Sequence, residues 1–213
     1  MGRLGRHMQR KALKGQDKQE RAYKRVEKQA RHDMTVSVVE RLAEDRRTRE
    51  TAVRNSILIF FECLHRMYHF GAKKFSRMID RMRLTTECID DKAMPDVTVE
   101  ALQKVIKAET DLDLSTSKKH REEIKAGGRD YEIQADVIDE LSTKFLLCLR
   151  DEYGFAHDRL KRVYDGCGKI GSQLSKGDET IEELEKSLEK AKWRADKKSI
   201  HSLIGHSYRR YAI

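Results

Sequence analysis

Two stretches of this chain set large apolar side chains at helical spacing, and the second repeats the first 85 residues later. In the first, Val53, Ser56, Phe60, Phe61, Leu64 and Tyr68 fall on one helix face. In the second, Ile138, Leu141, Phe145, Leu146, Leu149 and Tyr153 take the matching places. Each stretch then breaks at an aromatic corner, His69-Phe70-Gly71 or Gly154-Phe155. A second apolar periodicity follows, Phe75, Met78, Ile79 and Met82 against Leu160, Val163, Tyr164 and Cys167. After a polar loop (Asp90 to Asp96, or Ser172 to Asp178) a third helix is predicted to open at Thr98 and at Thr180, where the offset shrinks to 82. Over the 21 ungapped positions from Phe60 and Phe145, seven are identical: Phe60/145, Cys63/148, Leu64/149, Tyr68/153, Phe70/155, Arg77/162 and Asp80/165. Chance gives about one or two, so the pattern predicts an internal duplication. The expected fold is all-α, two tandem three-helix modules packed about a pseudo-twofold axis. Three short amphipathic helices bury little alone, whereas two sets can share one core.

The remaining chain divides by polarity. Residues 1–16 are rich in Gly, Lys and Arg with little to bury, which predicts disorder in the free protein. From Asp17 to His32 a polar helix is expected, with a thin stripe of Ala22, Tyr23, Val26 and Ala30. Ser37-Val38-Val39-Glu40 has the form of a capping box and predicts the start of a new helix. Glu44 to Thr51 holds no apolar residue and reads as either a solvated helical span or a hinge. Asp111 to Arg129 is polar, with Gly127-Gly128 near its end, and reads as a linker. The expected division is therefore 1–35 basic arm and polar helix, 36–110 first module with a long leading helix, 111–130 linker, 131–196 second module, and 197–213 basic and aromatic tail.

Charge changes this picture more than composition does. The formal net charge is +9, yet residues 1–31 hold eleven Lys/Arg against Asp17, Glu20 and Glu27. The arm thus carries nearly all of the excess, and the remaining chain is close to neutral. A segment of that charge attracts polyphosphate, nucleic acid or an acidic protein surface, with marked salt dependence. A mean hydropathy of -0.78 and the lack of any long apolar run exclude a membrane span. Cys63, Cys88, Cys148 and Cys167 form no CxxC and follow no secretory leader, which points to free thiols in the cytoplasm. Arg6 stands where N-myristoylation requires Ser or Thr.

Candidate chemistry is thin. No P-loop, dinucleotide fingerprint, nucleophile elbow or zinc motif occurs, so no enzyme, cofactor or metal is expected. His65 and His69 have the i, i+4 spacing of a metal pair, but no third ligand stands near and a surface pair is the simpler reading. A helix-turn-helix centred on Gly71 or on Gly154 fits poorly, because the glycine shifts relative to the matched Tyr and Phe. Tyr68, Phe70, Tyr153 and Phe155 could stack on bases, although a clamp holding each corner is the stronger reading. The helix after the first corner carries Lys73, Lys74, Arg77 and Arg81, suited to phosphate contact. The later stretch keeps Arg159, Lys161 and Arg162 but adds Asp158. Against that reading, Arg77/Asp80 and Arg162/Asp165 have the spacing of local ion pairs.

The run Leu64-His65-Arg66-Met67-Tyr68-His69-Phe70-Gly71-Ala72-Lys73-Lys74-Phe75 resembles a signature of small helical proteins from phages and prophages of Gram-positive bacteria. Leu149 to Leu160, with Tyr153-Gly154-Phe155, is similar, with Ala156 where the signature has Gly. The resemblance covers about twenty residues in each stretch. It implies a phage setting in a bacterial cytoplasm and attaches no activity. The expected function is a non-enzymatic accessory protein that binds nucleic acid. Arg3, Arg6, Arg10, Lys11, Lys14 and Lys18 would supply phosphate contacts, extended by Lys73, Lys74, Arg77 and Arg81. The alternative is a protein-interaction scaffold or an inhibitor of a host nucleoprotein.

Overall fold

The structure is a computed structural model that describes the backbone of residues 3–91, 93–112, 114 and 118–204, with side chains over the same ranges except 3–23, 118–121 and 197. Among the described residues there are eight helices and no strand. The chain divides into two compact units, Met1–Arg46 and Arg47–Ile213.

Helix α1, Arg3–Tyr68, begins in the first unit and ends in the second. It corrects two expectations and decides a third. The segment 3–16 is helical rather than disordered, no new helix starts at Ser37, and of the two readings of Glu44 to Thr51 the helical span holds. From Gln16 to Tyr68 the chain contains neither Gly nor Pro and is rich in Lys, Arg, Glu, Gln and Ala, so nothing interrupts propagation. A capping box works only where the chain has already left the helix. Here Ser37 Oγ donates back to the Met34 carbonyl at 2.9 Å instead. Local pairs support the exposed turns: Arg31 to Glu27 at 2.8 Å and Gln29 to Asp33 at 2.8 Å.

In the second unit, α1 is followed by α2 (Ala72–Asp90), α3 (Val99–Thr110), α4 (Lys118–Ala126), α5 (Arg129–Tyr153), α6 (His157–Lys176), α7 (Ile181–Lys190) and α8 (Lys197–Leu203). The third helices open where expected. Thr98 Oγ1 accepts from the Ala101 amide at 3.2 Å, and Thr180 forms a full capping box with Glu183. Three segments differ from expectation. The presumed linker carries α4, the loop expected from Ser172 is α6 as far as Lys176, and the presumed tail carries α8. Buried Leu112, Leu114 and Ile124 anchor the first of these, and buried Ile200 and Leu203 anchor the last.

The core is held by crossed packing. Helix α5 lies against α2 and α3. Helix α1 lies against α6 and α7: the Cys63 thiol donates to the Val163 carbonyl at 3.5 Å, and Ser187 Oγ donates to buried Glu62 at 2.9 Å. Each long helix thus packs on the pair of helices that follows the other. At their crossing Phe60 and Phe145 stack, ring centres 4.4 Å apart and nearly parallel. Phe61 stacks on Phe75 at 4.3 Å and meets the edge of Trp193 at 4.8 Å. Trp193, near the end of the expected second module, is core.

Close approach of α1 and α6 depends on Gly166. A Cβ there would stand 2.7 Å from Cys63 Sγ and 3.0 Å from Met67 Sδ. Met67 is long and partly exposed and can swing aside, whereas the Cys63 thiol is buried and cannot. Gly166→Ala is therefore expected to cost about 1–3 kcal/mol in urea denaturation, and adding Cys63→Ala should recover most of it.

The two corners have one geometry. His69 and Gly154 both adopt left-handed backbone, φ 52° and 61°. At the first, His69 N–H donates to the His65 carbonyl and Phe70 N–H to that of Leu64; at the second, Gly154 and Phe155 donate to Arg150 and Leu149. Exposed His69 pays a backbone cost that Gly154 avoids. His69→Gly should stabilise by about 1 kcal/mol and Gly154→Ala destabilise by a similar amount, read as opposite shifts in Tm.

Candidate nucleic-acid interface

Position on α1 follows from helix geometry alone. At 100° per residue, the eleven basic positions from Arg3 to Arg31 fall within an arc of about 160°. They include Arg3, Arg6, Arg10, Lys11, Lys14 and Lys18, whose side chains lie outside the described residues. Of the three carboxylates in this segment, Glu20 and Glu27 fall outside the arc and Asp17 inside it. The stretch spans about 42 Å along the helix axis. What the sequence presented as a charged tail is thus a charged face on a regular element. Composition could not reveal it; the recurrence at i, i+3, i+4 and i+7 could have.

The expected quartet on α2 separates into different roles. Lys73 and Arg77 are exposed. Lys74 is exposed too, with its ammonium 4.2 Å above the Phe70 ring. Arg81 is committed elsewhere: it reaches Asp151 at 3.1 Å and Glu152 at 3.6 Å on α5. Burial works to raise the Asp151 carboxyl, but hydrogen bonds from Arg150 and Arg81 outweigh it and hold that carboxyl below its usual range. Arg81 therefore ties α2 to α5.

Two residues of α6 join the α2 cations. Arg159 lies over the Phe155 ring at 5.7 Å, and Arg162 Nε donates to the Asp158 carbonyl at 3.2 Å. Both are exposed. The ion pairs expected from spacing, Arg77 with Asp80 and Arg162 with Asp165, are absent among the described residues.

Beneath these cations the four corner aromatics form a closed cluster. Tyr68 meets Phe155 at 4.9 Å, Phe70 meets Tyr153 at 4.9 Å, and Phe70 lies 6.3 Å from Phe155. Tyr153 donates its hydroxyl to the Lys74 carbonyl at 3.0 Å. Burial, with Cys148 nearby, pushes that phenol up to about 12. The rings hold the corners together and are not laid out as a platform for bases.

Other candidate groups are structural in placement. His65 Nδ1 bonds the Phe70 carbonyl at 2.8 Å, which fixes the first corner. Among the described residues no three His, Cys, Asp or Glu side chains gather as a metal would need. All four cysteines are free, and burial pushes the Cys148 thiol up to about 12. No described helix is long and apolar enough to cross a membrane. Comparison with protein-family models, curated proteins and solved structures yields no match.

Proposed function

We propose that this protein is a non-enzymatic nucleic-acid-binding protein, an accessory protein of the phage or prophage kind, that works in a bacterial cytoplasm. The observation that carries the reading is the basic face of α1, eleven Lys/Arg positions within an arc of about 160°. A polyanion with charges every few ångströms is the ligand such a face fits, because each neutralised phosphate releases condensed counterions. A regular helix presents the cations without the ordering cost that a coil must pay on binding. The test is affinity for duplex DNA or RNA against salt, for the full chain and a form beginning at residue 33. Loss of most affinity and of most of the salt slope in the shorter form supports the reading; binding that survives with a flat salt response contradicts it.

The second unit reads as a doubled three-helix module. What supports the doubling is reciprocity between matched residues. Tyr68 touches Phe155 as Tyr153 touches Phe70, and Lys74 caps Phe70 as Arg159 caps Phe155. Phe60 and Phe145, equivalent to each other, stack face to face. The start of α6 meets the end of α3 through His157 and the Thr110 carbonyl, while Gly71 before α2 lies against the Ala191 carbonyl after α7.

One observation favours the other class, an interaction scaffold or inhibitor of a host nucleoprotein. Val26, Met34, Val36, Val38 and Val39 are all exposed on α1, apolar groups that a protein wrapping this helix would cover. Capture of a host protein that persists after nuclease treatment, with no affinity for free nucleic acid, would favour it.

A further inference from the structure

We infer that the second unit carries its own anion-binding surface, made of Lys74 and Arg77 on α2 with Arg159 and Arg162 on α6, and that it takes the sugar-phosphate backbone of duplex nucleic acid. This deepens the nucleic-acid reading above and rests on it. Lys74 and Arg159 stand over Phe70 and Phe155, whose ring centres are 6.3 Å apart, so the two helices bring their cations to one aromatic cluster. Arg77 belongs to the same place, because its charge acts on Tyr153, whose hydroxyl bonds the Lys74 carbonyl. Arg162 is its matched residue. All four are exposed.

The surroundings narrow the ligand. Lys73 and Lys161 add charge nearby, opposed by Asp80, Glu152, Asp158 and Asp165, so cations still outnumber carboxylates. Phe70 and Phe155 are 3% and 6% exposed. With these two rings buried, neither can stack on an unpaired base, and stacking is what single-strand binders add to charge. Phosphate contact alone positions a protein on a duplex without reading sequence. Cations arranged two and two in reciprocal places also suit a duplex, whose phosphate rows are related by dyads, as twofold proteins on twofold sites exploit. An acidic peptide offers no such symmetry.

The test uses the full chain with its α1 cations intact. Lys74→Gln, Arg77→Gln, Arg159→Gln and Arg162→Gln are combined, and binding to a duplex of about 20 base pairs, the matching single strand and polyglutamate is titrated against salt. The unaltered protein should prefer duplex over single strand by about tenfold or more, since duplex carries the denser phosphate charge and Phe70 and Phe155 offer no stacking surface. The fourfold variant should lower the slope of log affinity against log salt for duplex by about three. Arg77→Gln with Arg162→Gln, which leaves the two ring contacts in place, should lower it by about half as much and retain the Tm. Unchanged duplex affinity and slope in both variants, with the unaltered protein binding duplex, overturns this surface and leaves the α1 reading standing. Equal binding of single strand, or loss confined to polyglutamate, overturns the duplex assignment. No binding of any nucleic acid by the unaltered chain removes both readings.

Discussion

Moving three charges around α1 without changing its composition should weaken nucleic-acid binding by about tenfold or more and lower the salt slope by roughly two to three. The exchange pairs Gln9→Arg with Arg10→Gln, Lys14→Gln with Gln16→Lys, and Lys18→Gln with Gln19→Lys. Net charge, length and helix propensity stay as they are, since Gln, Lys and Arg rank alike as helix formers. Only register changes. At 100° per residue positions 9, 16 and 19 fall outside the basic arc, so three cations leave the face that can follow a phosphate row. Each lost phosphate contact removes about 0.9 from the slope, which sets the size of the effect. Fluorescence anisotropy on a labelled duplex at several salt concentrations measures it. If charge alone mattered, the exchanged protein would bind as before, and the helical face would carry no weight in the proposal.

That face illustrates what the sequence can and cannot say. The periodicity of Arg and Lys was present in the letters, but it acquires meaning only once 3–31 is known to be helical, and the glycines at 5 and 15 argued for a coil. The corners were easier to read. Left-handed backbone favours Gly, and Gly154 marks the position that His69 occupies at the earlier corner, where side-chain identity gave no warning. The shift of glycine that spoils a helix-turn-helix match is a substitution at one conserved geometry rather than a change in the turn. Helix α4 was invisible because Ile124 is the one buried side chain among its described residues, too little for a periodicity. Trp193 and α8 were hidden for a different reason. Their apolar residues are scattered among polar ones, and only contact with Phe61 and Phe75 for Trp193, and with α2 for α8, shows which face is inside. The tie of Arg81 was not legible because its partners, Asp151 and Glu152, lie far away in sequence. Spacing along a helix predicts what a residue could meet on its own element, and here the competing carboxylates came from another.

Phe60→Ala and Phe145→Ala should each cost about 3–5 kcal/mol, and by similar amounts. Both side chains are nearly fully buried, at 6% and 1% exposure, and each ring stacks directly on the other. Against a total stability of roughly 5–15 kcal/mol for a domain, either loss is severe. Urea denaturation followed by far-UV circular dichroism gives both values, and Phe→Leu at the same sites keeps the measurement in range if the alanine forms unfold. Combining the two changes should cost less than their sum by about 0.5–1.5 kcal/mol, because the second removes a ring whose stacking partner has already gone. The proposed doubling makes a stricter demand than packing does. Matched residues that face each other must be equal in cost as well as coupled, since each sees the other's helix from an equivalent place. A severe loss at one site beside a mild one at the other, or two losses that simply add, would mean that Phe60 and Phe145 meet by accident of packing and that the doubling does not organise the core.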